Sequence, residues 1–190
     1  MGSRTQNGGI ETRVEYLKPQ EIDLALRLLT KPNRLAMRLC IATGLRISDA
    51  LGIRTDQLRT RMTIRERKPG KSRRVTVPAR LLEELRQEAG AVYVWPNARD
   101  PHRPRTRQAV WKDVKRAARA ARVPANAGTH SARKVYAVEK YRRGGLEAAQ
   151  SALLHDDPTV TMLYALADQL RAAGPPRRTR SRKIDKKAKK

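Results

Sequence analysis

The chain is short of acid. Its 190 residues carry 18 Asp and Glu against 43 Lys and Arg, a formal net charge of +25. It holds a single cysteine, Cys40, so an internal disulfide and a cysteine-based zinc site are both excluded. Cys40 sits in the apolar run L-C-I-A and reads as a buried, inert thiol. No apolar run approaches the roughly 18 residues of a membrane-spanning helix. No signal peptide, no internal repeat and no carboxylate cluster suited to Mg²⁺ is visible. A soluble, intracellular protein is expected, with no membrane partner.

What is present is positive charge. A field of this sign calls for a polyanion, with nucleic acid the default partner. Residues 177–190 hold nine Lys and Arg and one Asp, a charge of +8, which leaves +17 on the rest. The excess is therefore spread over the part that folds. On charge alone, a basic structural nucleic-acid binder and an enzyme acting on nucleic acid stay equally open. The expected organisation is a flexible segment over 1–17, one domain over 18–174, and a disordered basic tail over 175–190.

Along the chain, punctuation by proline and glycine sets the elements. Pro19 opens a helix with Ile22, Leu24, Ala25, Leu28 and Leu29 on its apolar stripe, and Lys31-Pro32-Asn33 breaks it. A buried helix follows from about Asn33 to Thr43, capped by Gly44. Arg46 then lies at a helix junction, since Ser48-Asp49 opens a short helix through Leu51. An arginine among apolar neighbours needs an anionic partner, either Asp49 or a bound anion. Residues 61–67 and 73–77 alternate as a β-hairpin whose tip carries Lys68 and Lys71, with Val75 and Val77 on one face. Residues 79–89 form an amphipathic helix, and 92–95 a short third strand. His102 lies in a loop and reads as a surface histidine. Thr106 caps a long helix to about Arg122, with Val110, Trp111, Val114, Ala117, Ala118 and Ala121 inward and Arg107, Lys112, Lys115, Arg116 and Arg119 outward. The outer face suits either solvent or DNA backbone, and the net charge favours DNA. With the hairpin cations Lys71, Arg73 and Arg74, the residues Arg107, Lys112 and Lys115 are the expected DNA contacts. The predicted fold is mainly α with a small antiparallel sheet, an α+β domain.

The chemistry concentrates between Thr129 and Tyr164. Thr129 is a plausible N-cap for a helix to Arg143, ended by Gly144-Gly145. His130 and Arg133 stand three residues apart and share its face near the N-terminus, where the dipole favours an anion. A short helix over 146–154 leads to His155. Asp157-Pro158 then starts a helix that carries Tyr164 in its second turn. Taken alone, Tyr164 fits core packing beside Leu163 better than it fits chemistry; Tyr136 and Tyr141 could compete as nucleophiles, but tyrosines at helical spacing usually pack in the core.

Four stretches shift that balance. They are T-G-L-R-I-S-D-A-L around Arg46, the hairpin R-K-P-G-K-S-R-R-V-T-V-P, H-S-A-R at 130–133, and H-D-D-P-T-V-T-M-L-Y at 155–164. In order and spacing they resemble the tyrosine recombinase/phage integrase family, across about residues 18–173. The resemblance implies that family's catalytic-domain fold and a site-specific recombinase or integrase that cuts and rejoins double-stranded DNA without metal or ATP. It implies Tyr164 as the nucleophile of a 3′-phosphotyrosyl intermediate. It implies Arg46 and Arg133 as clamps on the scissile phosphate, His130 as proton acceptor, Lys68 as general acid and His155 as a phosphate ligand. Lys71 competes with Lys68 for its role. A homo-oligomer is implied too, a tetramer when assembled on DNA, with no cofactor and a cytoplasmic location, nucleoid-associated or in the host cell cytoplasm if viral. Type IB topoisomerases share such chemistry, and a DNA-binding regulator on the same scaffold without cleavage is the alternative. The chain departs from the family pattern at Leu154, Ala132 and Lys134. It also has only about 17 residues ahead of the first helix, as expected of a small member resembling the fimbrial-switch invertases or of an excised catalytic domain.

Overall fold

The computed structural model describes residues 15–65 and 72–153. The expected flexible start lies largely outside these residues and the basic tail wholly so.

Helix α1 (Pro19–Arg27) begins where proline places it. A missing N–H is harmless in a first turn, and the Lys18 N–H donates to Glu21 Oε2 at 2.7 Å. Its buried face is narrower than the apolar pattern predicts: Ile22, Ala25 and Leu29 are buried, but Leu24 and Leu28 are exposed. Helix α2 (Lys31–Thr43) starts earlier than expected, because Lys31 and Pro32 form its first turn instead of a break. Gly44 ends it at φ 69°, with its N–H on the Cys40 carbonyl at 2.8 Å. Helix α3 (Ile47–Leu51) follows at once, with Arg46 as its N-cap residue.

Strands β1 (Arg61–Arg65) and β2 (Ser72–Thr76) pair antiparallel, with Met62 opposite Val75 and Ile64 opposite Arg73. Both strands bury every second residue, as a half-covered sheet requires. The expected third strand at 92–95 does not form. Val94 N–H reaches the Ile53 carbonyl at 3.1 Å and Thr55 N–H the Val92 carbonyl at 3.0 Å, which flank one isolated bridge between Arg54 and Tyr93. The partner segment turns into a 3-10 turn at Thr55–Gln57, so the ladder stops there. Val94 and Trp95 are still buried. Their apolar run reflects core packing, not strand pairing.

Helix α4 (Ala79–Glu88) buries Leu81, Leu82 and Leu85. Helix α5 (Arg107–Ala120) is capped by Thr106, whose hydroxyl accepts from the Ala109 N–H at 3.2 Å. Helix α6 (Thr129–Leu153) runs through the expected stop with a kink at Gly144-Gly145, where Gly145 takes φ 73°. After the kink it folds back, and Ala149 and Leu153 pack with Ala137 and Val138. Helix α2 is central, touching α1, α3, α4 and α6. The result is mainly helical with a two-stranded antiparallel sheet, the class read from the sequence.

One inward face was misread. Trp111 is 45% exposed, and Asp113 is buried in its stead. Position 113 falls on the same turn-by-turn row as Val110, Val114 and Ala117, so periodicity puts it inside although charge argues against it. The carboxylate is tolerated because donors surround it. Oδ2 accepts from the Thr30 N–H at 3.0 Å, the Thr30 hydroxyl at 2.8 Å and the Asn33 amide at 2.7 Å. Oδ1 accepts from Arg116 at 2.9 and 2.6 Å. Arg116 also donates to the Leu28 carbonyl at 2.6 Å, so part of its guanidinium is tied to the protein although the residue is exposed. Burial pushes the Asp113 carboxyl up, but the bonds from Asn33, Thr30 and Arg116 outweigh it and hold the carboxyl below its usual 3.8.

Asp113→Ala should therefore destabilise the fold by about 2–4 kcal/mol, since it strands the donors of Thr30 and Asn33. Because the folded carboxyl is depressed, its contribution is fully present above about pH 3.8 and is lost as pH falls through the folded value. Urea denaturation at pH 7 and pH 3 checks both: the gap between wild type and variant should shrink at the lower pH.

Candidate active site

Gly44 turns the chain between α2 and α3 and so fixes where Arg46 points. The left-handed φ favours glycine, and a second constraint reinforces it. A Cβ placed on Gly44 would stand 2.4 Å from the Tyr136 ring. The α2 end and α6 thus approach through a missing side chain. Leu45 and Ile47 are buried on either side, and Arg46 between them is half-buried.

The first turn of α6 is pinned from the other side. Ser131 is fully buried, its hydroxyl donates to the Glu15 carbonyl at 2.9 Å, and it accepts from the Gly128 N–H at 3.2 Å. Thr129, expected as the N-cap residue, is the first helical residue. With that turn fixed, His130 is exposed and Arg133, one turn on, is 2% exposed. Arg133 donates from Nη1 to the Gly44 carbonyl and from Nη2 to the Leu153 carbonyl at 3.1 Å.

Three of the six expected catalytic residues converge. A cavity of about 160 Å³ is lined by Leu45, Arg46, Ile47, Ser48, Arg107, Thr129, His130 and Arg133. At roughly 30 Å³ per water, it accommodates a small tetrahedral anion. Among the described residues its lining carries three guanidiniums and one imidazole and no carboxylate, a donor set fitted to phosphate oxygens. Arg107, expected only as a DNA contact on an outer helix face, lines this cavity from the first turn of α5. The sequence signal for that was its place directly after the Thr106 cap. Beside the cavity runs a groove of about 910 Å³ that shares Ser48 and Arg107 with it and reaches Arg65 and Ser72, the strand ends flanking the hairpin tip. Lys68 and Lys71 on that tip, and His155 and Tyr164 beyond α6, lie outside the described residues.

The expected DNA contacts separate into groups. Arg74, Lys112 and Arg107 are exposed. Lys115 is half-buried, donates to Asn126 Oδ1 and lies 5.8 Å from the Trp111 ring centroid. Arg73 corrects the reading: it is 8% exposed and faces the core opposite Ile64. It shares the face of Val75 and Val77, which strict alternation already indicated. Arg73 therefore does not face DNA. Tyr136 and Tyr141 are half-buried, and Tyr136 packs its ring on Gly44. His102 is exposed, as expected. Cys40 is fully buried, and burial pushes its thiol up to about 12, against the opposing pull of Arg133. A thiol so raised is no nucleophile at neutral pH. Among the described residues no cluster of His, Cys, Asp or Glu could hold a metal ion, and no helix is long and apolar enough to cross a membrane.

The fold sets a small cavity lined by Arg46, Arg107, His130 and Arg133 beside a groove that reaches the strand ends of the β-hairpin. The sequence profile of the phage integrase family matches residues 15–171, and the chain belongs to that family. Tyrosine recombinase XerD of Mycobacterium tuberculosis is 29% identical over 164 residues, spanning 78% of this chain and 50% of that protein. The chain thus spans about half the length of the curated relatives it matches. Among solved structures, XerH site-specific recombinase bound to a palindromic difH substrate in a post-cleavage complex superposes with a TM-score of 0.66 at 22% identity, covering 88% of this chain and 53% of that one. A lambda integrase tetramer bound to a Holliday junction gives 0.63 at 20% identity, covering 80% and 48%. At such identities the likeness to solved structures shows the fold.

Gly44→Ala should cost about 2 kcal/mol or more, the left-handed penalty of roughly 1–2 kcal/mol for a side chain plus displacement of the Tyr136 ring. Denaturant unfolding measures it. A loss under about 0.5 kcal/mol, within the range of a neutral surface change, would show that neither φ nor the close approach is required.

Proposed function

We propose that this chain is the catalytic part of a site-specific tyrosine recombinase acting on double-stranded DNA. The observation that carries the reading is the cavity where Arg46, Arg107, His130 and Arg133 meet. Family membership and the XerD relatives support it.

In the reaction, Tyr164 Oη attacks the scissile phosphorus and its proton passes to His130. The bond from phosphorus to the 5′-oxygen breaks, and Lys68 gives that oxygen a proton. The product is a 3′-phosphotyrosyl link and a free 5′-hydroxyl. Arg46 and Arg133 hold the non-bridging oxygens, whose charge grows in the transition state, and His155 adds a hydrogen bond. Because the link retains the phosphoester, a 5′-hydroxyl of another strand can reverse the step, and strands exchange with no cofactor. Arg74, Arg107, Lys112, Lys115 and Lys71 contact the phosphate backbone around the site. The chain assembles on DNA as a homo-oligomer, and the tetrameric lambda integrase on a Holliday junction supports a tetramer.

A duplex nicked near the cleavage site tests the scheme, since loss of the short fragment traps the covalent adduct. Wild type should yield an adduct mapping to Tyr164, and Tyr164→Phe none. Arg46→Ala should lose on the order of 10²-fold or more in cleavage rate while DNA affinity largely survives, because the arginine acts on transition-state charge. Specific protection of a DNA site with no adduct in wild type would replace the recombinase with a non-cleaving regulator.

A further inference from the structure

We infer that Arg73 is a positioning residue, a buried cross-tie that sets the last turn of α6 relative to Gly44 and Arg46. Four observations place it there. Its Nη1 donates to the Gly44 carbonyl at 3.3 Å. Its Nη2 donates to the Ala152 carbonyl and lies 3.4 Å from the Tyr136 hydroxyl. Its Cζ stands 5.6 Å from the Tyr136 ring centroid. It is buried although it is an arginine in a core-facing strand position.

The contacts join segments far apart in sequence. Gly44 lies two residues before Arg46. Ala152 lies in the closing turn of α6, three residues before His155. Arg73 itself stands five residues after Lys68 on the strand leaving the hairpin tip. A guanidinium that donates to two backbone carbonyls satisfies them and is stabilised by them in turn. Arg133 makes the parallel tie from Gly44 to the Leu153 carbonyl. Arg133 also lines the cavity and, under the recombinase reading on which this step rests, must hold phosphate. Arg73 does not line it. Arg73 thus keeps residues 149–153 of α6 in place when Arg133 engages DNA. Lysine cannot replace it, since a single ammonium on a flexible stem does not span the Gly44 and Ala152 carbonyls in one planar fork.

The test compares the full chain with Arg73→Lys and Arg73→Ala by hydrogen exchange and by cleavage of the nicked duplex. Amides over 149–153 should exchange about tenfold faster or more in both variants, as expected for loss of a charge-assisted bond, while those of α4 stay protected. Cleavage at saturating DNA should fall about tenfold or more, and affinity should change by less than about threefold, since a positioning loss acts on the bound state. Unchanged protection at 149–153 overturns the proposal. Weakened affinity with a reduced salt slope and normal cleavage at saturation also overturns it, because that is the signature of a phosphate contact. If Arg73→Ala unfolds throughout, Arg73→Lys decides, as it keeps charge and stem. If wild type forms no adduct, the recombinase reading fails while the exchange arm still decides the role of Arg73.

Discussion

The carbonyl of Gly44 is the point on which the site depends. It accepts from two guanidiniums, Arg73 on β2 and Arg133 on α6. A carbonyl oxygen has two lone pairs, and both are engaged here. The same residue takes a left-handed φ and leaves no room for a Cβ beneath the Tyr136 ring. Backbone conformation, close helix approach and charge-assisted bonding therefore converge on one peptide. Remove any one of them and the strand, α2 and α6 lose their common reference. Arg46, two residues on, inherits its direction from that peptide.

The choice of neutral acceptors matters electrically. A buried guanidinium bonded to a carboxylate is largely neutralised, whereas one bonded to carbonyl dipoles is stabilised with its formal charge intact. Among the described residues Arg73 donates to two carbonyls and a phenol. Acids are scarce in this chain, and several are committed elsewhere: Glu84 with Arg38, Glu88 with Lys31, Asp113 with Arg116. Among the described residues the charged side chains of the cavity lining are all basic. Low acid content, noticed first as a bulk number, reappears as a property of the site.

Element positions were readable because local chemistry sets them. Pro19, Gly44, Thr106 and Gly144-Gly145 each mark a boundary or kink close to where it occurs. The convergence of Arg46, His130 and Arg133 was readable only through the ordered motifs, since the first two lie 84 residues apart in sequence. What escaped was polar burial. Arg73 and Asp113 both occupy positions that periodicity turns inward, and both were assigned outward or passed over because charge normally stays in water. The deciding partners come from distant segments: Gly44, Tyr136 and Ala152 for one, Thr30 and Asn33 for the other. A single sequence does not reveal such pairings. Where period and charge disagree, the disagreement is itself the signal that a long-range polar tie exists.

Arg133 shows why arginine is demanded at this hub. A guanidinium presents five N–H groups in a rigid plane. Two are engaged by the Gly44 and Leu153 carbonyls, and the side chain still borders the cavity. One residue can thus fix the architecture and face an anion at once. Lysine, with three donors on a rotatable ammonium, could serve one duty but not both in defined geometry. Coupling the two duties has a cost, because a ligand that draws Arg133 toward itself also pulls on the α6 end. A second tie that never touches the ligand removes the conflict, and Arg73, buried behind the cavity and sharing the same carbonyl, is placed to be that tie.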